Sequence, residues 1–343
     1  MTMRIEQYTS KEKLPALMKG SYYHSAEFFH LLEDSSGITP IMFVAYDGDE
    51  ELGHMLAILK RDLRILPPGI YHWCSIYGEG VYSEKCTDRN TLFYHFMQRL
   101  IKTLDIRYLF IEVRHITDPR TTYRTFSRFG FVPRDDTRIY ISLHSRNPEE
   151  RLSRAYRAHI RRATERGVTY SQATGAEEIK EGMKLLKKYY ASKIARYFAP
   201  TDLLHKILLG STQESPDARM FTVRNKEGKM IGCSICLYSE ERVYLLYSCG
   251  LRKSHPLLYP GIMSVWAAIE DAHRRGIPHF EFAVSGAPLR NNTGFRNFIL
   301  NFGGKQVSTI RWYRYRWMWI NKILRKIFCL KLILQTTQTS TAF

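Results

Sequence analysis

At 343 residues the chain has room for two domains of ordinary size or one large one. A hydrophobic content of 44% with 13% aromatics excludes global disorder, and a net charge of +18 favours a polyanionic partner (a phosphate-rich cofactor, nucleic acid or an anionic membrane face) over simple solubility. No run approaches the ~18 apolar residues of a membrane span, and the opening MTMRIEQYTSKEK lacks the apolar core of a signal peptide, so a cytoplasmic protein is expected.

In chain order, a short strand at Arg4–Tyr8 leads into helical segments through Leu32. Two strands, PIMFVAYDG and ELGHMLAILKR, follow around the turn Asp47-Gly48-Asp49. GIYHWCSIYG reads as a strand, TLFYHFMQRLIKTLD as a helix with Leu92, Phe96, Leu100 and Ile101 on one face, and IRYLFIEVRH as a buried strand. A helix ending in TFSRFGF and the strand TRIYISL close this half.

The pattern restarts at Asn147, a good N-cap, with Pro148 at the first helical position and Glu149 and Glu150 at the positive helix end. One helix, PEERLSRAYRAHIRRATER, is expected to stop at Gly167. Next come a strand (VTYSQA), two helices (AEEIKEGMKLLKKYYASK, TDLLHKILLG), a hairpin (RMFTVRNKEGKMIGCSICLYS) and a strand (RVYLLYSCG). A long helix (GIMSVWAAIEDAHRR), a strand (HFEFAV), the helix of FRNFILNFGG and a strand (QVSTIRWYRYRW) complete the half. Cys233 and Cys236 form a lone C-x-x-C inside a strand, where they face opposite sides, so reduced structural thiols and no metal set are expected.

The two halves match in order. FVAYDGDEELG corresponds to FTVRNKEGKMIG, FYHFMQRLIKTLDIRYLFIEV to VWAAIEDAHRRGIPHFEFAV, and FSRFGF to FILNFGG. A duplicated mixed α/β unit is the economical reading. The expected divisions are 1–146, 147–317 and a basic amphipathic tail, 318–343, disordered at its end.

The unit order, together with RAHIRRATERGV (157–168), YPGIMSVWAAIEDAHRRGIPHFEFA (259–283) and FRNFILNFGG (295–304), resembles the duplicated GNAT acyltransferase fold of the Fem-type family, which includes FemAB-like and BioF2-like acetyltransferase domains. The resemblance spans about Tyr22 to Trp317. It implies an α/β fold with mixed sheets in two tandem GNAT-like units. It further implies an acyltransferase that moves an acetyl or aminoacyl group onto an amine of a cell-envelope (peptidoglycan-type) or glycoconjugate precursor. The bridge-forming members carry a lysine where this chain has Ile299, and the two-helix arm of tRNA-dependent members has no room here. Acyl-CoA is therefore the expected donor, as a co-substrate and not a tightly bound cofactor, with aminoacyl-tRNA second.

In a GNAT-type unit the donor lies between two splayed strands, here RVYLLYSCG and HFEFAV, with its phosphates at the next helix start. Arg252, Lys253, Tyr259 and Gly261 are the candidate donor-binding residues, with a solvated loop as the alternative. Glu281 is the candidate general base, if it faces the cleft and not solvent, and Tyr247 the candidate acid for the leaving group, if it is not simply core. Ser285, Arg290 and Arg296 are candidates for the acceptor pocket, while Asn291 and Asn292 read better as helix caps. Arg157 and Arg161, on one helix face with Arg154, are candidates to grip an anionic envelope or sugar precursor, against a solvated face.

No acidic residue follows Glu281, and WMWINKILRKIFCLKLILQ is basic, aromatic and apolar at once. It suits either a helix lying on the cytoplasmic face of an anionic membrane or a stripe packed on the protein itself. The rival to an enzyme is a non-catalytic basic module that binds membrane surface or RNA.

Overall fold

Two helices of the chain end in the same way because each is followed by a glycine in the left-handed region, Gly130 (φ 74°) and Gly303 (φ 83°). At the first, Phe131 N–H reaches back to the Phe126 carbonyl and Gly130 N–H to that of Ser127; at the second, Gly303 N–H bonds the Leu300 carbonyl. These ends belong to two copies of one unit. The structure, a computed structural model, describes residues 3–61, 71–114, 123–144, 146–191, 201–210, 218–239, 241–282 and 293–327.

The first copy runs β1 (Met3–Tyr8), α1 (Ala26–Glu33), β2 (Ile38–Asp47), β3 (Glu50–Lys60), β4 (Tyr71–Tyr77), β5 (Val81–Tyr82), α2 (Arg89–Leu104), β6 (Tyr108–Arg114), α3 (Tyr123–Arg128) and β7 (Val132–Ser142). The second begins with α4 (Pro148–Arg151) and α5 (Arg154–Glu165). It continues through β8 (Thr169–Gln172), α6 (Ala176–Ala191), α7 (Thr201–Gly210), β9 (Ala218–Arg224), β10 (Met230–Tyr238) and β11 (Arg242–Gly250). Then come α8 (Pro260–Arg274), β12 (His279–Phe282), α9 (Thr293–Leu300) and β13 (Lys305–Tyr315). A last helix, α10, covers residues 318–327. In each copy a long helix joins two parallel strands: α2 joins β4 to β6, and α8 joins β11 to β12.

The helix expected from Asn147 to Gly167 is two. The Asn147 side chain caps α4 by accepting from Glu149 N–H, as the sequence indicates. Leu152 is then extended (ψ 142°) and buried, and Ser153 caps α5 by accepting from Tyr156 N–H. A serine that offers its own cap restarts the helix in a new direction.

The chain forms two compact units, 1–135 with 309–343, and 136–308, because the last strand of each copy completes the other unit's sheet. β7 pairs with β12 (Glu281 opposite Tyr140), giving the second unit the order β7-β12-β11-β10-β9-β8. β13 pairs with β6 (Tyr313 opposite Glu112), giving the first unit β1-β2-β3-β4-β6-β13.

Packing holds the exchange in place. Trp312 of β13 is fully buried in the first unit's core and stacks on Phe126 with centroids 4.8 Å apart. Ile139 and Ile141 of β7 are fully buried in the second unit's core beside Phe280 and Phe282. Each such side chain contributes about 1.5–3 kcal/mol on burial.

Ion pairs repeat the exchange. Within the second unit, Arg138 of β7 donates from Nε and a terminal nitrogen to both oxygens of buried Glu281, at 2.7 and 2.5 Å. Within the first, Arg311 of β13 bonds buried Glu112 at 3.1 Å, joined by the Tyr313 hydroxyl at 3.0 Å. Burial alone would raise the Glu112 carboxyl, but Arg114 and Arg311, with hydrogen bonds from Arg114 and Tyr313, outweigh it and hold the carboxyl down at about 2.

Candidate active site

β11 changes face partway along its length. Its pairing with β10 slips between Ile235 and Cys236, so that Tyr247 opposes Ile235 and Leu245 opposes Cys236. Leu246 is the bulged residue between them. The bulge reverses which face each later side chain takes: Leu245 belongs to the core with α8, whereas Tyr247 turns to α6 and packs edge-to-face on Tyr190. On its other side β11 pairs with β12 only as far as Leu245–Phe282. From Leu246 to Gly250 that edge has no ladder partner among the described residues. The expected splay rests on residues after Phe282, which lie outside them.

The end of β11 runs into the start of α8. Gly250 makes this approach feasible, since a Cβ there would sit 2.2 Å from Gly261 N and 2.7 Å from the Pro260 carbonyl carbon. Tyr259 occupies the N-cap in the left-handed region (φ 46°, ψ 44°), a strained conformation for a bulky residue, and no side chain caps the helix. The His159 ring of α5 stacks on Tyr259 at 4.1 Å and 15°. Burial, reinforced by Arg162, lowers the pKa of His159, so the stacked ring is neutral near pH 7. Pro260 has no N–H, and Ile262 and Met263 donate to the Tyr259 carbonyl, which leaves Gly261 N–H in the first turn. The turn contains no acidic residue. Arg252 and Lys253 lie exposed just before it, with Arg252 close enough to act electrostatically on the Tyr156 hydroxyl. Open N–H dipole and nearby cations are what a phosphate group needs.

The same region of the first unit is closed. β4 and β6 pair through to Tyr77–Arg114, and Gly78 N–H continues the ladder to the Arg114 carbonyl at 2.7 Å. The chain that follows folds back as β5 onto Gly53 and His54 of β3. Asp88 caps α2, accepting from Thr91 N–H (3.0 Å) and from the Thr91 hydroxyl (2.6 Å). Those two bonds keep the Asp88 carboxyl below its usual range, so a negative charge already occupies the helix start.

Several expected residues sit elsewhere. Glu281 is buried, with both oxygens committed to Arg138 and one also to Arg242 at 2.7 Å. Its carboxylate thus faces the arginines of the two neighbouring strands and not solvent. Tyr247 is 4% exposed beside Tyr190, the core alternative.

Arg157 and Arg161 line a groove of about 720 Å³ between α5 and α8, along with Arg154, Trp266 and Glu270. The groove does not include Arg252, Lys253 or Tyr259, so the two basic groups do not form one pocket. Arg157 reaches the Glu150 and Leu152 carbonyls at 3.4 Å, and Arg161 lies 3.7 Å from Glu165. Arg296 is half-buried on α9, its Nε without a hydrogen-bond partner. Ser285, Arg290, Asn291 and Asn292 lie outside the described residues. Ile299 is fully buried core. Cys233 and Cys236 do face opposite ways: Cys233 meets Cys249 and the Gly182 carbonyl, while Cys236 joins the α8 core.

Sequence reasoning missed Gly250, the Leu246 bulge and the Arg138 and Arg242 clamp. Only Gly250 left a signal, as the glycine that ends a strand directly before Leu251-Arg252-Lys253.

Comparison with known proteins agrees with this layout. Residues 150–292 match a family model described as an acetyltransferase (GNAT) domain. No curated protein matches the sequence. Among solved structures, FemX is similar at 11% identity over 95% of this chain and 99% of its own, with a TM-score of 0.65. L-PGS from Bacillus licheniformis is similar at 14% identity over 87% of this chain and 90% of its own (TM-score 0.55). A tandem GNAT protein from the clavulanic acid biosynthesis pathway, solved without AcCoA, is similar at 10% identity over 92% of this chain and 99% of its own (TM-score 0.54). At such identities the likeness is one of fold.

Proposed function

We propose, from the premise that this chain is a tandem GNAT-fold protein of Fem-like type with an acetyltransferase (GNAT) domain at 150–292, that it is an acyltransferase whose second unit alone takes the donor. The donor in this reading is acyl-CoA. Its phosphates meet Arg252, Lys253 and Gly261 N–H, and its acyl thioester lies beside β11. The observation that carries the reading is the contrast between the units. In the second, the α8 start has no side-chain cap and no acidic residue in its first turn and is preceded by exposed Arg252 and Lys253; in the first, Asp88 caps the α2 start.

Chemistry follows by direct displacement. An acceptor amine attacks the thioester carbonyl carbon, the carbonyl oxygen takes up the negative charge beside unpaired β11 backbone, and the C–S bond breaks as the C–N bond persists. The amine gives up one proton and the departing thiolate gains one. Both protons exchange with solvent in this reading, since Tyr247 is core and Glu281 is held by two arginines. No nucleophilic serine or cysteine is required, which agrees with burial of Cys233, Cys236 and Cys249. The acceptor is read as an amine on an anionic cell-envelope or glycoconjugate precursor, with Arg296 and the arginine groove as the cationic surfaces that suit it.

Offering radiolabelled acetyl-CoA and, separately, charged tRNA in the presence of amine-bearing envelope precursors tests this directly. Label is expected to bind and transfer from acetyl-CoA. Transfer from charged tRNA alone would overturn the donor assignment, and binding of neither would overturn the reading.

A further inference from the structure

The helix α10 has a surface that the chemistry of acyl transfer does not use. Asn321 anchors it: this side chain, 1% exposed, donates to the Tyr315 carbonyl (2.7 Å) and accepts from Tyr315 N–H (2.8 Å), standing in for a strand partner at the end of β13. Arg325 turns toward the Ser127 carbonyl at 3.5 Å, and Ile320 and Leu324 are half-buried. The inner face therefore packs on the first unit.

The outer face is apolar as well. Trp319, Ile323 and Ile327 recur at four-residue spacing and are 62%, 49% and 44% exposed. Lys322 and Lys326, both exposed, form a row directly alongside them. Of the basic residues of α10, only Arg325 is turned inward. An exposed tryptophan and two isoleucines in register, edged by lysines, match a helix lying in the plane of a bilayer. There the indole and aliphatic side chains enter the headgroup–acyl boundary, and the lysines bury their stems while meeting lipid phosphates.

We propose that α10 docks this protein on an anionic lipid bilayer surface. Charge selects that occupant: α10 has no acidic residue, and no acidic residue follows Glu281 anywhere in the chain. A protein partner or a second copy of this chain would need a complementary acidic or apolar face, whereas anionic lipid supplies both negative headgroups and an apolar layer. No helix among the described residues is long and apolar enough to cross a membrane.

Cosedimentation of the full chain with phosphatidylcholine–phosphatidylglycerol vesicles and with pure phosphatidylcholine vesicles, without donor or acceptor, tests the proposal independently of acyl transfer. Binding is expected to the anionic vesicles and to weaken as salt is raised. Lys322→Ala with Lys326→Ala should reduce partitioning roughly thirtyfold. Trp319→Ser with Ile323→Ser should abolish it while leaving thermal melting and CoA binding unchanged, since both side chains are exposed. Any of three results overturns the proposal: no binding to anionic vesicles, binding that survives Trp319→Ser with Ile323→Ser, or a wild-type dimer that this variant disrupts in place of vesicle binding.

Discussion

Replacing Glu281 with glutamine is expected to destabilise the second unit by about 3–5 kcal/mol, as breaking one side of a buried ion pair does. For a unit of this size that is a fall in melting temperature on the order of 10 °C. The cause is what remains behind. Arg138 and Arg242 reach Glu281 from two neighbouring strands, and their side chains are only 20% and 24% exposed. Neutralising the carboxylate leaves two guanidinium charges facing each other with little water to receive them. Thermal melting and donor affinity, measured on the same sample, distinguish structure from catalysis. The expected pattern is a lower melting temperature with unchanged CoA affinity per folded molecule. An unchanged melting temperature with lost turnover would restore Glu281 as the base.

Gly250→Ala is the second change with a large expected effect. Its Cβ would be placed 2.2 Å from Gly261 N and 2.6 Å from Gly261 Cα, and backbone at a helix start cannot rotate away as a side-chain tip would. Either β11 or α8 must move. Overpacking of this kind costs typically about 1–3 kcal/mol, and displacement of the helix start should also weaken CoA binding about tenfold or more. Gly261→Ala is the control for stability, since its Cβ meets nothing within 4 Å. It should leave the melting temperature unchanged or slightly higher. Gly250→Ala with wild-type stability and affinity would show that the tight contact between strand and helix start has no functional weight.

Local signals carried much of this architecture. The strand and helix order, the Asn147 cap and the paired glycine stops at Gly130 and Gly303 are set by residues close in sequence, and each was legible. The exchange of β7 and β13 was not. Both strands carry aliphatic or aromatic residues beside arginines, so either can pair in either sheet. What decides is where Trp312, Ile139 and Ile141 find cores, and which carboxylate each strand's arginine meets. Those contacts join residues well over a hundred positions apart.

The same limit applies to Glu281. The sequence reads Glu281 as a catalytic group or a solvent-facing glutamate, and the ion pair is not legible because its partner Arg138 precedes it by 143 positions. Ser153 is the opposite case. Its capping signal was present in the sequence, but the continuous helical periodicity around it favoured one helix over two. For Arg157 and Arg161 the helix face was read correctly as arginine-rich. That it opens onto Trp266 and Glu270, apart from the α8 start, depends on how α5 packs beside α8.

The account turns on a single donor site, in the second unit, and calorimetric titration of the full chain with CoA addresses it most directly. One site per chain is predicted. Arg252→Ala with Lys253→Ala should weaken it by about a hundredfold or more, given ~1.5–3 kcal/mol for each charged hydrogen bond, and Asp88→Asn in the first unit should leave it unchanged. Two sites per chain, or full affinity in the Arg252→Ala, Lys253→Ala protein, would contradict it.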